Sequence, residues 1–227
     1  MHSVNCSMYN DLMRADSYEI RVCNSCGLRY PLVASHVQTF GIRCPACLGE
    51  THVALSRELV TETDPKSDGL GEGQVEKIAV LLDNIRSAWN VGSIFRSADG
   101  FGFSHAYLCG ITPTPDNEAV QKTSLGAEDA VTWSYHKDAV KLAQGLKKEG
   151  WRIFALEEDE RAVEVRRIDN PTHPTIFIVG NEVAGVDPEL LDLCDAIYCI
   201  PMHGEKRSLN VAIAFGIAAY ALRCQSR

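Results

Sequence analysis

The sequence predicts an α/β fold, in which a mainly parallel sheet carries helices on both faces, preceded by a small cysteine-rich module. Three observations support this prediction. From Val75 onward, short apolar runs alternate with segments of helical periodicity. Loops rich in Gly, Asn, Ser and Pro follow several of these runs, where strands should end. Two Cys-x-x-Cys pairs lie near the N-terminus, so we expect a zinc-ribbon-like module over residues 1–60, a linker over 61–74 and the α/β domain over 75–227.

Composition and charge narrow the classes of protein. The 227 residues are 45% hydrophobic, which is enough for one good core and a smaller satellite module. No apolar run approaches the ~20 residues of a membrane span, and the N-terminus lacks signal-peptide features, so we expect a cytoplasmic protein without membrane contact. The net charge of -8 argues against nucleic-acid binding through a global positive field, so RNA binding would require local basic patches.

The two Cys-x-x-Cys pairs, Cys23 with Cys26 and Cys44 with Cys47, predict a zinc ribbon. Seventeen residues separate the pairs, and each two-residue gap lets one tight turn direct both thiolates at the same ion. Zn²⁺ prefers four such ligands in a tetrahedron, at ~2.3 Å from each sulfur. A site of four cysteines is closed, so we expect a structural zinc. The alternatives are four free cysteines or a redox pair.

After the polar linker, the spacing of apolar residues predicts helices and strands. A helix with apolar positions from Val91 to Phe101 follows the first strand, and a second helix over Asp138–Glu149 begins at a capping aspartate and ends before Gly150. The apolar runs expected to form buried strands are Ile78–Leu82, Ala106–Leu108, Arg152–Leu156, Ile176–Val179 and Ile197–Ile200.

The last predicted helix, about Leu209–Arg223, is apolar nearly all round and should therefore be buried on more than one side. Such a terminal helix favours a subunit interface, and a homodimer is the commonest oligomer. The alternative is a helix enclosed within one subunit. Ser208 can serve as the N-cap of this helix.

The remaining histidines and cysteines show no ligand spacing. We expect His105, His136 and His173 at the surface or in loops. The cysteines outside the two pairs lie in apolar surroundings and are expected as small core residues, at Cys109, Cys194, Cys199 and Cys224.

Three segments with turn residues after apolar runs indicate a ligand site: Asn90–Arg96, Ile178–Gly185 and Ile200–Val211. Open α/β sheets bind ligands at the carboxyl ends of their strands. With these motifs the chain resembles the SpoU/TrmH family of SPOUT RNA methyltransferases, over roughly Lys77 to Arg223. Three ordered motifs are far more specific than any one of them.

This resemblance implies features that periodicity does not show. They are a SPOUT-type domain with a C-terminal trefoil knot, a homodimer with the active site at its interface, and methyl transfer from S-adenosylmethionine to a ribose 2′-hydroxyl of tRNA or rRNA. The positions implied to bind the cofactor are Leu156, Gly180, Asn181, Gly185, Ile200, Met202, Ser208 and Leu209. The positions implied in catalysis are Arg96, Asn90, Glu182, Ser208 and Asn210.

Arg96 is the leading catalytic candidate, because helical geometry places it nearly opposite the apolar stripe. Guanidinium groups stay charged near neutral pH, so we expect Arg96 to clamp a phosphate and stabilise the developing 2′-alkoxide, while a phosphate oxygen or water takes the proton. Asn90 is expected to position Arg96 or the substrate. Glu182 is expected to orient the cofactor loop or to contact Arg96. Lys206 and Arg207 form the best local basic patch, or else a solvated turn.

Two other functions remain open at this point. The first is a non-catalytic RNA- or protein-binding module on the same scaffold, which the acidic charge and the extra ribbon favour. The second is methylation of a base instead of a ribose. All the motif residues are present, which argues against the non-catalytic module. The motif set is of the kind that the resemblance associates with ribose methylation, which argues against methylation of a base.

Overall fold

A computed structural model describes residues 17–33, 42–58, 77–168 and 171–224. The chain divides into two compact units, Met1–Gly71 and Glu72–Arg227. The predicted linker over 61–74 lies outside the described residues. Among the helices of the described ranges, none has the length and apolar character to cross a bilayer.

The smaller unit contains a three-stranded antiparallel sheet in the order β2-β1-β3, formed by β1 (Ser17–Cys23), β2 (Arg29–Val33) and β3 (Thr51–Glu58). The turn between β1 and β2 carries the first cysteine pair. Gly27 adopts φ +76 there, a conformation that favours glycine. A second turn before β3 carries the other pair, so each knuckle adjoins a strand end.

The larger unit is built on a seven-stranded sheet in the order β6-β5-β4-β9-β7-β10-β8, and all its strand pairs are parallel. The central strands β4 and β9 are buried along their whole length, as continuous apolar runs predict. The strands are β4 (Ile78–Asp83), β5 (His105–Cys109), β6 (Thr132–His136), β7 (Arg152–Leu156), β8 (Val163–Glu164), β9 (Thr175–Val179) and β10 (Ala196–Cys199).

Six α-helices and one 3₁₀ turn (Val165–Arg167) are described in this unit. Asp138 caps its helix as predicted, because its side chain accepts a hydrogen bond from the backbone N–H of Lys141. The helices are α1 (Ala88–Gly100), α2 (Glu118–Ser124), α3 (Ala127–Ala130), α4 (Ala139–Lys148), α5 (Pro188–Leu193) and α6 (Val211–Cys224).

Two apolar cores lie on the two faces of the large sheet. Phe95 of α1 and Phe215 of α6 belong to one core. Leu146 of α4 and Leu190 of α5 belong to the other. Helices therefore cover both faces of a parallel sheet, which confirms the predicted fold class and leaves the carboxyl ends of the strands for ligands.

The last helix differs from its prediction in two ways. It begins at Val211, and Asn210 caps it by accepting a hydrogen bond from the backbone N–H of Ala212 at 2.9 Å, so the expected N-cap role of Ser208 is wrong. Within one chain the helix also leaves an apolar stripe exposed, comprising Ile213 (57% exposed), Ile217 (39%) and Tyr220 (59%). The expected burial on more than one side therefore requires a further surface.

The expectations for isolated histidines and cysteines hold only in part. His105 and His136 lie half-buried on strands β5 and β6 and not in loops, whereas His173 is exposed and lies outside the helices and strands, as expected. Cys109 is fully buried, whereas Cys194 and Cys199 are only partly so. The side chain of Cys224 lies outside the described residues.

Candidate functional site

A cavity of about 700 Å³ opens at the carboxyl ends of β7, β9 and β10. Its volume falls in the range of small-molecule sites. The second and third motif segments both line it, although 14 residues separate them in the sequence. The lining includes every position implied to bind the cofactor: Leu156, Gly180, Asn181, Gly185, Ile200, Met202, Ser208 and Leu209.

The glycines of the second motif let its two arms approach closely. The backbone N–H of Asn181 donates to the carbonyl of Gly185 at 3.0 Å, and the N–H of Gly185 donates back at 2.9 Å. A Cβ built on Gly180 would lie 2.3 Å from the backbone nitrogen of Val186. Gly185 also has φ +74, so both positions require glycine because of the loop itself.

The side chain of Asn181 fixes the same loop from inside. Its Oδ1 accepts hydrogen bonds from the backbone N–H groups of Val183 (2.9 Å) and Ala184 (3.0 Å), and its Nδ2 donates to the carbonyl of Asn84 at 2.6 Å. The loop after β9 is thereby held against the loop after β4. Asn181 acts through the backbone that borders the cavity.

Glu182 binds the N-terminal end of α1. Its carboxylate accepts hydrogen bonds from the backbone N–H groups of Arg86 (2.9 Å) and Ser87 (3.0 Å) and from Nδ2 of Asn90 (2.9 Å). Partial burial opposes ionisation, but these hydrogen bonds, with that of Arg86 the strongest, lower the pKa of Glu182 below its usual value. A carboxylate at this position also complements the positive end of the helix dipole.

Asn90 joins all three motif segments. It donates to Glu182 through Nδ2, and its Oδ1 accepts a hydrogen bond from Nδ2 of Asn210 at 2.9 Å. Asn210 in turn caps α6. One chain of hydrogen bonds therefore connects the N-terminal ends of α1 and α6 beside the cavity.

Arg96 lies on α1 with its side chain exposed, outside the residues that line the cavity. Its guanidinium makes no hydrogen bond or ion pair with any residue in the described part of the chain. The expected contact with Glu182 is absent there, since that carboxylate is taken by α1. The guanidinium is left available to a substrate.

Sequence reasoning missed two acidic residues next to the predicted positions. Glu157 follows β7 and lines the cavity, and its Oε2 accepts a hydrogen bond from the backbone N–H of Val186 at 2.8 Å. Asp83 ends β4 and accepts from the N–H of Asp187 at 2.9 Å, and burial raises its pKa. Asp83 is the last residue of its strand and Glu157 directly follows its strand, so their place at strand ends is the signal that could have found them.

The walls of the cavity suit a ligand that is apolar in part and charged in part. Half-buried Leu156 and Ile200 and the more exposed Leu209 supply apolar surface. Lys206 and Arg207 place positive charge on the same wall. S-adenosylmethionine combines an adenine ring, a ribose and a charged amino-acid end, so the residues present fit it.

The four cysteines of the smaller unit converge as zinc ligands do. Their Sγ atoms all lie within 4.8 Å of one another, with Cys23 to Cys47 at 3.5 Å and Cys26 to Cys44 at 3.6 Å. Tetrahedral coordination at ~2.3 Å places sulfurs about 3.8 Å apart. The backbone N–H groups of Ser25 and Cys26 point at Cys23 Sγ, which favours a thiolate. The cluster can therefore hold a metal ion.

Comparison with known proteins gives a family match over most of the larger unit. The model of the SpoU rRNA Methylase family matches residues 77–220. A tRNA (guanosine(18)-2′-O)-methyltransferase of Aquifex aeolicus is 30% identical over 162 residues, which are 68% of this chain and 72% of that protein. The 23S rRNA (guanosine(2553)-2′-O)-methyltransferase RlmP of Bacillus subtilis is 28% identical over 198 residues, 84% of this chain and 76% of that one.

Solved structures show the same similarity. The AdoMet-bound rRNA methyltransferase of Sinorhizobium meliloti superposes with a TM-score of 0.62 and 31% sequence identity. The match covers 66% of this chain and 57% of that one. The range that the family model matches, residues 77–220, includes the large sheet, the cavity and all three motif segments.

Proposed function

Because this chain belongs to the SpoU rRNA methylase family, we propose that it transfers a methyl group from S-adenosylmethionine to a ribose 2′-hydroxyl of tRNA or rRNA. One observation carries the proposal: the Asn210–Asn90–Glu182 hydrogen bonds join the three motif segments beside one cavity. The family membership and the intact motifs together set aside the non-catalytic alternative.

The cavity seats the methyl donor in this proposal. S-adenosylmethionine supplies an electrophilic methyl group on a positively charged sulfur. Leu156, Ile200 and Leu209 bury its apolar parts, and the closed loop from Gly180 to Gly185 presents backbone groups to its polar edges. Ser208 and Asn210 both line this cavity, and in this proposal they lie near the transferred methyl group.

Arg96 carries the chemistry on the acceptor side. Its free guanidinium clamps the phosphate beside the target ribose and donates to the 2′-oxygen as negative charge develops there. The hydroxyl proton passes to a phosphate oxygen or to water. Asn90, Glu182 and Asn210 act as positioning residues, because they fix the start of the helix that presents Arg96.

The finer assignments follow the same reasoning. We assign a structural zinc to the four-cysteine cluster, with the ribbon over 1–60, a linker over 61–74 and the methyltransferase domain over 75–227. We infer a homodimer that covers the exposed stripe of α6, since an apolar helix face of this kind is typical of subunit contacts. A trefoil knot near the C-terminus and a cytoplasmic location complete the proposal.

The test is transfer of tritiated methyl from S-adenosylmethionine to unmodified tRNA and rRNA pools. We expect label in one pool, and we expect Arg96→Ala to lower turnover at least ~100-fold while cofactor affinity stays nearly unchanged. Arg167→Ala is the matched control, because Arg167 is exposed and lies outside the cavity lining. Unchanged turnover in Arg96→Ala would remove this residue from the mechanism.

The chemical position of the methyl group distinguishes ribose from base methylation. Digestion of the labelled RNA to nucleosides should yield a 2′-O-methyl nucleoside. The relatives are named as guanosine 2′-O-methyltransferases, so guanosine is the expected acceptor. A methylated base in the digest would contradict the proposal, and so would cofactor binding without transfer to either pool.

A further inference from the structure

One face of the small antiparallel sheet is exposed and carries cations. Residues paired across neighbouring strands share a face, so the pairing register assigns side chains to faces. The face of Arg21, Cys23 and Leu32 holds all the buried residues of the three strands, and we call it the buried face, although Val53 on it is 44% exposed. None of the described residues on the opposite face is buried. We call it the outer face, and it includes Tyr18, Ile20, Val22, Arg29, His52, Leu55 and Arg57.

The arginines of the outer face have no partner within the described residues. Neither Arg29 nor Arg57 makes a hydrogen bond or ion pair there. Arg21, on the buried face, instead pairs with Glu19 at 2.6 Å. The described acids of the strands, Glu19 and Glu58, both belong to that buried face by register. Among the residues that the structure describes, no acid compensates the positive charge of the outer face.

The charges of the chain are distributed unevenly between the ribbon and the rest of the sequence. Residues 1–60 carry five Lys and Arg against five Asp and Glu, whereas residues 61–227 carry 17 against 25. The entire net charge of -8 thus lies outside the ribbon. Such a unit repels a polyanionic substrate overall, so a cationic surface on the ribbon would favour the approach of that substrate.

The side chains of the outer face match a single-stranded nucleic acid. Tyr18 lies directly opposite Arg57, and Ile20 lies opposite Leu55, so an aromatic ring and a cation adjoin an apolar strip. Proteins that bind single strands combine aromatic side chains, on which bases stack, with cations that follow the phosphates. The imidazole of His52 lies on the same face, and its Nδ1 is 2.7 Å from Oδ1 of Asn24.

We propose that the outer face of the ribbon binds a single-stranded segment of the RNA substrate, with Arg29 and Arg57 on its phosphates and Tyr18 stacked on a base. This proposal rests on the proposed function, because it takes RNA as the substrate. It assigns the capture of RNA to the ribbon and leaves methyl transfer to the larger unit.

The first experiment measures binding, so that it is independent of activity. The dissociation constants of the full-length protein for an oligouridylate of about 12 nucleotides and for an unmodified tRNA pool are measured at several salt concentrations. We expect Arg29→Ala with Arg57→Ala to weaken binding about tenfold. The slope of the logarithm of the RNA association constant against the logarithm of salt concentration should also become less negative by about 1.4, because two phosphate contacts are lost. Zinc content is measured in parallel as a check on the ribbon fold.

Lys148→Ala with Arg167→Ala is the matched control, since it removes the same charge from exposed residues of the larger unit. Equal effects of the two double variants would overturn the proposal. A change of oligomeric state without weaker RNA binding would also overturn it, by making the outer face a protein contact.

A second variant pair tests stacking without changing charge. Tyr18→Phe keeps the ring and should bind RNA within about twofold of the original protein, whereas Tyr18→Leu should bind about tenfold more weakly. Equal binding of the two would overturn the stacking assignment. Arginine-dependent RNA binding without methyl transfer would contradict the proposed function alone, and methyl transfer without arginine-dependent binding would contradict this inference alone.

Discussion

The imidazole of His105 lies in a short hydrogen-bonded relay on the large sheet. Its Nδ1 is 2.7 Å from Thr132 Oγ1, and its Nε2 is 2.9 Å from Ser134 Oγ. Ser134 Oγ is also 2.9 Å from Nε2 of His136. Burial, and secondarily the neighbouring His136, lower the pKa of His105. Folding therefore favours the neutral imidazole.

A pH dependence of stability follows from this lowered pKa. The stability that neutral His105 contributes is complete above the unfolded value of 6.5 and is lost as the pH falls through the lower folded value. As the pH falls from above 6.5 through the lower folded pKa, the free energy of unfolding should decrease, and solvent screening of the half-exposed ring keeps this change small. His105→Asn should flatten this dependence in urea titrations. His203→Asn, at an exposed position, should not, and identical pH profiles for all three proteins would contradict the assignment.

Among the helices, α1 is held at its start and along one side. Ser87 and Glu182 bind its first turn, and α2 packs against its middle. The packing is close because position 92 is glycine: a Cβ there would lie 2.0 Å from Thr123 Oγ1 and 2.5 Å from the carbonyl of Val120. Gly92 belongs to the first motif, so part of that motif serves packing and not ligand binding.

Gly92→Ala should therefore destabilise the larger unit by about 1–3 kcal/mol, as overpacked substitutions do. Gly145→Ala is the matched control within α4, because no atom lies within 4 Å of a Cβ there. That change should be stabilising by about 0.5–1 kcal/mol, since it removes a helical glycine. Urea unfolding measures both values. A Gly92→Ala protein as stable as the original would mean that α1 and α2 can separate at no cost.

Sequence patterns predict the elements whose burial follows a simple rule, such as a strand buried on both faces or an amphipathic helix with clear ends. β4 and β9 are buried on both faces and appear as plain apolar runs, and Asp138–Glu149 matches α4 to within a residue at each end. β6 was missed because Thr132, Ser134 and His136 form its polar relay with β5. Its strand character depends on pairing with a neighbour, which local periodicity cannot reveal.

The candidate site also combines features that local sequence patterns predict with features that depend on the tertiary fold. The positions that the family resemblance implies for the cofactor all line the cavity, and their role as its ligands stays a prediction. The role of Glu182 depends on Arg86 and Ser87, which are about ninety-five residues away, and the capping role of Asn210 displaced the one expected for Ser208. Contacts between distant segments are set by the tertiary fold, and no local pattern encodes them.

At the scale of the whole chain, we expect loss of the metal to unfold the smaller unit and to leave the larger unit folded. Cys23→Ser with Cys26→Ser should release about one zinc per chain and unfold the ribbon, because metal binding supplies much of the folding energy of so small a module. The larger unit should keep its cooperative unfolding and its affinity for S-adenosylmethionine. Metal analysis and thermal unfolding measure these effects. Cys194→Ser should retain the metal, and an original protein purified without zinc would refute the assignment.

The exposed stripe of α6 predicts the response of the assembly. Ile217→Glu should convert the proposed dimer to a monomer in sedimentation equilibrium and abolish methyl transfer, because it would place a charge within the proposed apolar contact. Ile111→Glu introduces the same charge at another exposed isoleucine and should leave the dimer intact. A dimer that survives Ile217→Glu would require a different interface.

The hydrogen bonds through Asn90 have a definite direction. A carboxylate only accepts, so Glu182 obliges Asn90 to turn its NH₂ group towards it and its oxygen towards Asn210. Asn210 must then offer its own NH₂ group, which leaves its oxygen for the backbone of α6. The negative charge of Glu182 thereby selects the orientation of the Asn90 amide, which in turn selects that of the Asn210 amide. The two helix starts thus share one orientational state, and neither amide can flip alone.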